Sequence, residues 1–390
     1  MKMVRTAMLG LMAGVLMLGA SLADAQQKPP VKIGLIATMS GPVGSYGRTQ
    51  DILVKLSVED INAAGGINGS RLELRSEDAQ LDPGQAVLLF RKLTSEGFLG
   101  VIGPMTGTQW ETVSPLANQI QMPAIAVNAA KPGITVRPWT IRLVGSDDTS
   151  VPRGFGEFLK ENPSLKKVVI VADVREATGK AGGEQYKDLA IKAGLQLLDV
   201  VEITTTATDL SAAVIKAKSS NPDFIVSVTL APSALMLAKE FAAQGFTKPI
   251  LGHSMIYPGP FVSMVGENGK NWHTYGPSTN EQVPGDNVLH KSVVKRAQER
   301  ADPSLGVPLN VANWSVSYDA VQLYADIMRR TGIDGNTDVK KAREIIKDEF
   351  VKLKTFNKLY RYSMRDTGDA DMPVQIVVPD TKRHMWTFAK

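Results

Sequence analysis

Short apolar runs alternate with amphipathic helical patterns along most of the chain, and this alternation restricts the possible folds more than any other sequence feature. One helix is predicted to begin at Asp82-Pro83, because Asp is a favourable N-cap and Pro fits the first helical position. Gly97 is expected to end it. Its predicted buried stripe comprises Ala86, Leu89, Phe90 and Leu93. Strands separated by such helices are typical of a parallel sheet covered on both faces.

The same pattern starts twice in the sequence. The first apolar run begins at Val31 and leads into the turn 40–47, and a second run begins at Lys167, about 135 residues later. Asp209 is expected to cap a helix of the second half. No low-complexity tract or long Pro/Ser linker separates the halves. The sequence therefore predicts two α/β lobes, each a doubly wound parallel sheet, joined by short crossing strands that act as a hinge.

The first 25 residues have the layout of a secretory signal peptide. Lys2 and Arg5 precede an uncharged apolar run over residues 6–20, and Ala23-Asp24-Ala25 forms a small-x-small site. A transmembrane anchor would need about 20 apolar residues, and this run is shorter. We therefore expect cleavage after Ala25 and a location outside the cytoplasm. The chain contains no cysteine, which excludes a lipoprotein anchor, disulfides and a thiol nucleophile.

Charge is spread evenly along the sequence. The chain has 44 Lys and Arg against 39 Asp and Glu, a net charge of +5, and the two signs are interleaved, as in residues 291–300. Such a pattern is typical of solvated helix faces and not of a nucleic-acid interface. We therefore expect no nucleic-acid partner, and we expect a monomer.

The known catalytic and cofactor motifs each fail at a specific position. Gly41, Gly44 and Gly47 match neither the Walker loop nor the dinucleotide fingerprint. Residues 252–256 approach the hydrolase motif G-x-S-x-G but lack its final glycine, and residues 334–338 begin like a calcium loop that is not completed. The four histidines lack metal-ligand spacing. The sequence therefore predicts no catalytic residue, no cofactor and no metal, although a hydrolase that uses Ser254 remains an alternative.

Two further strand ends resemble the first turn. The strand at 101–104 leads into Thr106, Gly107 and Thr108 at the start of a helix, and the strand 124–127 leads into Asn128. The carboxyl ends of parallel strands meet at one edge of a sheet, where ligands bind. Free backbone N–H groups with hydroxyl or amide groups beside them suit a carboxylate. Ordinary helix capping is the alternative for each of these side chains.

Several segments together resemble the Leu/Ile/Val-binding protein family, whose members are type I periplasmic binding proteins. They are residues 60–69 (DINAAGGING), Leu72, Asp82-Pro83 with Ala86, residues 101–104 (VIGP) and residues 318–321 (YDAV). The resemblance covers essentially the whole chain after residue 25. It implies a receptor for an ABC importer of branched-chain amino acids and related acids, with a membrane permease as its partner. It also implies a first lobe at residues 26–148 and 277–353, and a second lobe at 149–276 and 354–390.

The resemblance assigns ligand positions in the first lobe. Tyr46 occupies the place of an aromatic residue that packs on the ligand side chain. The turn 106–108 and the segment Ala129, Ala130 and Lys131 match the carboxylate-binding turns of the family. Gly107 replaces a serine of the family and Lys131 replaces a threonine, so that backbone N–H groups are kept and hydroxyl groups are lost.

The second lobe departs further from the amino-acid binders. Where those proteins place two tyrosines and a glutamate around the α-ammonium group, this sequence has Thr178, Leu230 and Ser254. Burying an ammonium group without a carboxylate costs several kcal/mol, which is comparable with the roughly 8 kcal/mol of a micromolar complex. Glu176 or Asp173 remains available as a substitute carboxylate.

The sequence therefore favours a small carboxylic acid with an aromatic or aliphatic body, with Tyr46, Trp314 and Leu230 lining its pocket. Besides this hypothesis and the hydrolase, two alternatives stay open. In the first, the ligand is a branched-chain amino acid. In the second, the protein is the ligand-sensing subunit of a membrane receptor.

Overall fold

The structure, a computed structural model, describes residues 28–283, 286–301 and 311–389. The predicted signal peptide, residues 1–25, lies outside them. The strands are β1 (Lys28–Ala37), β2 (Ser70–Asp78), β3 (Gly100–Ile102), β4 (Ala124–Ala126), β5 (Thr140–Gly145), β6 (Lys167–Asp173), β7 (Gln196–Ile203), β8 (Phe224–Val228), β9 (Ile250–Gly252), β10 (Trp272–Gly276), β11 (Thr355–Asn357), β12 (Arg361–Met364), β13 (Asp369–Asp371), β14 (Gln375–Asp380) and β15 (Met385–Phe388). The α-helices are α1 (Gly44–Ala63), α2 (Pro83–Ser95), α3 (Gly107–Ile120), α4 (Asp147–Glu161), α5 (Ala177–Lys192), α6 (Ser211–Ser219), α7 (Ala231–Ala243), α8 (Phe261–Val265), α9 (Val288–Glu299), α10 (Val311–Trp314), α11 (Val316–Arg330) and α12 (Val339–Lys352). Short 3₁₀ helices lie at Ser254–Ile256 and Gly266–Gly269.

The strands form two sheets with the same internal order. The first sheet has the order β11-β12-β13-β5-β4-β3-β1-β2 and the second has the order β15-β14-β10-β9-β8-β6-β7. The strands β1 to β5 and β6 to β10 are parallel to their neighbours, and antiparallel pairs occur at the β11–β13 and β14–β15 ends. This is the doubly wound order in which the first strand lies between the second and the third. The predicted two-lobe α/β architecture is confirmed.

The chain passes between the two sheets three times, after Gly145, after Gly276 and after Asp371. The predicted boundary near 354 assigned the last segment to the second lobe, whereas β11, β12 and β13 extend the first sheet beside β5. The side chain of Asp319 accepts hydrogen bonds from the N–H groups of Leu359 and Tyr360 and so holds this hairpin on the first lobe. The last crossing therefore lies after β13. The other predicted boundaries remain predictions.

The helix predicted at Asp82 forms as expected. The Asp82 side chain accepts a hydrogen bond from the N–H of Gln85 at 2.6 Å, and Pro83 is the first helical residue. The four residues of the predicted stripe are all buried. Gly97, with φ of 77°, follows the end of α2 in a conformation that favours glycine. The capped start and the buried stripe fix α2 against the first sheet.

The segment 60–69 stabilises the first lobe and does not contact the cleft described below. Asn62 pairs with both backbone groups of Leu72, at 2.8 and 2.9 Å, and thereby joins α1 to β2. Asp60 accepts two hydrogen bonds from Arg296 and one from Tyr318. This sequence motif thus specifies the fold and not the ligand.

Candidate ligand-binding cleft

A cavity of about 100 Å³ lies between the lobes, at the carboxyl ends of strands from both sheets. All three crossings contribute to its lining, through Val144 and Gly145, Gly276 and Pro277, and residues 372–374. The cavity is therefore enclosed by the two lobes and by the segments on which they turn.

Most of the residues predicted from the sequence line this cavity. They are Tyr46, Thr106, Gly107, Asn128, Ala129, Ala130, Thr178, Leu230, Ser254 and Trp314. Thr108 and Lys131 do not. The Thr108 hydroxyl accepts a hydrogen bond from the N–H of Ala177 at 3.0 Å, and the Lys131 ammonium group pairs with Glu111 at 3.0 Å. Thr108 thus links the two lobes, and the charge of Lys131 is used on the surface of α3.

The first-lobe wall is built around the N-terminus of α3. Thr106 is the N-cap and forms a capping box with Gln109. The hydroxyl of Thr106 is therefore occupied. The N–H of Gly107 belongs to the first turn, where an α-helix has no internal acceptor, and the N–H of Thr108 faces the carboxyl group of Glu176. Because Gly107 lines the cavity, the positive end of the helix dipole lies beside it.

The neighbouring loop is held in place by a buried ion pair. Arg142, on β5, is fully buried and lies 2.8 Å from a carboxylate oxygen of Asp369 on β13. The same guanidinium donates to the carbonyl of Ala129 at 3.2 Å and to that of Lys131 at 2.8 Å. The N–H of Asp147 donates to the carbonyl of Ala130. These bonds fix the loop 129–131 against the hinge strands β5 and β13.

Two aromatic side chains of the first lobe reach across to the second. The Tyr46 hydroxyl donates to the carbonyl of Met255 and accepts from the N–H of Ala231, both at 3.3 Å. The indole N–H of Trp314 donates to the carbonyl of Pro258 at 2.7 Å. The two rings pack edge to face with centroids 5.5 Å apart. The structure is therefore a closed form, in which the aromatic residues predicted to line the pocket also connect the lobes.

Two glycines permit this close approach. A Cβ atom on Gly259 would lie 2.3 to 2.6 Å from the hydroxyl and ring atoms of Tyr46. A Cβ atom on Gly107 would lie 2.5 Å from the Thr178 hydroxyl and 3.2 Å from Oε1 of Glu176. Both glycines stand at contacts between the lobes, so a side chain at either position opposes closure.

Among the described residues that line the cavity, Glu176 is the only Asp, Glu, Lys, Arg or His. It is only 8% exposed, and its Oε2 accepts a hydrogen bond from the N–H of Gly179 at 2.9 Å at the start of α5. Its Oε1 makes no hydrogen bond of ordinary geometry within the described residues, although the backbone N–H groups of Thr108 and Thr178 and the Thr178 hydroxyl lie near the carboxyl group. Burial raises the pKa of Glu176 above its usual range, and the interactions with Gly179, Thr108 and Thr178 oppose this shift only in part. The cavity thus contains one carboxyl group and no cationic side chain from the described residues.

His253 precedes Ser254 but is turned away from it. The imidazole is fully buried, its Nδ1 accepts from the N–H of Met255 at 3.2 Å, and its Nε2 lies 3.3 Å from a carboxylate oxygen of Asp147. Both ring nitrogens are therefore directed at other groups, and the ring packs edge to face against Tyr186 and Tyr275.

Several lining residues were absent from the predicted set, among them Glu176, Ser150, Tyr257, Tyr275 and the residues of the crossings. Glu176 was considered only as a substitute carboxylate. Two of the crossings carry a sequence signal, since Pro277 directly follows the end of β10 and Pro373 lies two residues after the end of β13. A proline at or near a strand end marks a change of direction, and these two positions would have pointed to two of the three crossings.

Two lobes that enclose a small, mostly apolar cavity at their hinge define a bilobal ligand-binding protein. The chain belongs to the periplasmic binding protein family, because the family's sequence profile, described as "Periplasmic binding protein", matches residues 30–382. Within the described residues, no helix combines the length and the apolarity needed to cross a membrane.

Individual relatives agree with this assignment. The Leu/Ile/Val-binding protein of Citrobacter freundii is 25% identical over 296 residues, which cover 75% of this chain and 79% of that protein. The fold is similar to that of the branched-chain amino acid transporter substrate binding protein of Streptococcus pneumoniae in complex with isoleucine, with a TM-score of 0.78 and 20% identity over 90% of this chain and 97% of that one. It is also similar to an R. palustris solute binding protein in complex with 4-hydroxybenzoate, with a TM-score of 0.74 and 19% identity over 90% and 92% of the two chains.

Proposed function

We propose that this protein is a periplasmic receptor of an ABC importer, and that it binds a small carboxylate with an apolar body in the interlobe cleft and delivers it to a membrane permease. The observation that carries this proposal is the N-terminus of α3, where Gly107, the first residue of the helix, lines a mostly apolar cavity. Backbone N–H groups at a helix start bind a carboxylate without a cationic side chain.

The size of the cavity supports a small ligand. At about 100 Å³ the cavity is small, since sites for drug-sized ligands measure about 300–1,000 Å³. Tyr46, Leu230 and Trp314 offer apolar surface to the body of such a molecule.

A branched-chain amino acid is the second candidate, and the unpartnered Oε1 of Glu176 is the observation that favours it. An ionised Glu176 would pair with an α-ammonium group, although Thr178, Leu230 and Ser254 offer it no further charge. The structural relatives include complexes with an amino acid and with an aromatic acid, so the fold accommodates either class.

We infer that the protein is not a hydrolase. A serine nucleophile needs an adjacent base, and His253 presents neither ring nitrogen to Ser254.

Closure of the receptor on its ligand would be a population shift, driven by contacts that the ligand makes only in the closed form. A receptor that signals to a membrane kinase would use the same closed form.

Titration calorimetry with matched ligands tests this proposal. Leucine and 4-methylpentanoate share the same body and differ by the ammonium group, and benzoate and 4-hydroxybenzoate supply an aromatic body. We expect micromolar binding of at least one of the three acids, and leucine binding weaker than 4-methylpentanoate. Micromolar leucine binding without a response to the acids would contradict the proposal and establish the amino-acid alternative.

A further inference from the structure

The N-terminus of α3 and the carboxyl group of Glu176 lie at the same end of the cleft. Gly107 begins α3, and the site that its Cβ would occupy lies 3.2 Å from Oε1 of Glu176. Both residues line the cavity. A ligand carboxylate bound by the first turn of α3 would therefore lie close to Glu176. Two ionised carboxyl groups in contact inside a buried site repel each other strongly, so one of them must be neutral.

We propose that Glu176 is a specificity-determining residue that takes up a proton when the cleft closes and donates a hydrogen bond from Oε1 to the ligand carboxylate. This inference rests on the proposed function, because it assumes an acidic ligand. Oε2 already accepts from Gly179, which leaves Oε1 as the protonated atom. The proton comes from the solvent, and no covalent bond of the ligand changes.

Burial on closure supplies the physical cause. Contacts between Thr108 and Ala177, and between Tyr46 and Met255, bring the lobes together over the site. Enclosed in this way, Glu176 is 8% exposed and its Oε1 makes no hydrogen bond of ordinary geometry with the described residues. Burial disfavours the ionised form and raises the pKa of the carboxyl group. A ligand anion beside it acts in the same direction.

The other charged groups on the surrounding elements are engaged elsewhere. Three of them, Arg175, Lys180 and Glu202, are exposed to solvent. Asp173 accepts hydrogen bonds from the N–H of Arg175 and from the Thr205 hydroxyl, and Asp147 contacts His253. Asp199 pairs with Lys216, and Glu111 pairs with Lys131. Of the charged residues named in this paragraph and Glu176, only Glu176 lines the cavity.

Calorimetry in two buffers of different ionisation enthalpy measures the protons taken up per ligand. With 4-methylpentanoate and benzoate as probes, we expect the wild-type protein to take up close to one proton per ligand at pH 8. Its affinity should fall about tenfold per pH unit above the pKa of Glu176 in the open form. Glu176→Gln is neutral at every pH, so it should take up no proton and bind the acids about tenfold or more tightly than the wild type at pH 8.

Glu184→Gln is the matched control, because Glu184 is 70% exposed on the same helix. It should retain the wild-type proton uptake and pH profile. Acid binding without proton uptake, or uptake that persists in Glu176→Gln, would overturn this inference and leave the proposed function intact. No binding of any acid would overturn both. Loss of leucine binding in Glu176→Gln would assign an ionised Glu176 to an ammonium group and overturn the inference as well.

Discussion

Replacing Arg142 by methionine is expected to lower the free energy of unfolding by about 3–5 kcal/mol. The substitution leaves Asp369 buried without its cationic partner, from which Arg142 is 2.8 Å away. It also leaves the carbonyls of Ala129 and Lys131 without the donor that now holds them. Denaturant unfolding followed by circular dichroism measures the loss. Ligand affinity should fall too, because the loop 129–131 lines the cleft through Ala129 and Ala130.

Arg153→Met is the matched control for this prediction. Arg153 pairs with Asp371 near the same crossing, but this pair is exposed, and exposed pairs contribute about 0–1 kcal/mol. The double variant Arg142→Met/Asp369→Asn should recover part of the lost stability, because it removes the unpaired charge. Equal and small losses in Arg142→Met and Arg153→Met would show that the buried pair does not support the loop.

Gly259→Ala is expected to weaken ligand binding about ten- to hundredfold without unfolding either lobe. The added Cβ would lie within 2.6 Å of the Tyr46 ring, which is itself packed against Trp314 and cannot move freely. Overpacking of this kind costs about 1–3 kcal/mol, and about 1.4 kcal/mol corresponds to a tenfold change in affinity. The cost falls on the closed form alone, since the contact joins the two lobes. Calorimetry with the tightest-binding acid of the panel measures the change.

Gly156→Ala provides the comparison, because a Cβ at this position in α4 meets no atom within 4 Å. This variant should bind like the wild type and be at least as stable, since alanine favours the helical backbone. If Gly259→Ala bound as tightly as Gly156→Ala, Tyr46 would not occupy its observed position in the ligand-bound protein.

Local sequence patterns predicted much of the fold. The start of α2 at Pro83 follows from its cap and first-turn proline, and its buried face follows from helical spacing. The assignment of the hairpin 355–371 could not be made in this way. Its place beside β5 depends on pairing between Asp369 and Arg142, which are 227 residues apart, and on Asp319, which holds the turn. Such long-range pairing leaves no periodic signal in the sequence.

The candidate site was predicted where backbone geometry determines it. Strand ends gave Thr106, Gly107 and Asn128, and the family resemblance added Ala130. Side-chain direction was harder to predict, as Lys131 turns to Glu111 one turn along α3. Glu176 was harder still, because its position opposite Gly107 arises only when the lobes meet.

Small-angle X-ray scattering with and without saturating ligand tests the central claim most directly, with the tightest-binding acid of the panel as the ligand. The claim is that the two lobes move together over a carboxylate at the N-terminus of α3. We predict that the ligand lowers the radius of gyration and that the bound profile matches the closed structure described above, while Gly259→Ala needs about ten- to hundredfold more ligand for the same decrease. Identical radii and profiles with and without bound ligand would contradict the account.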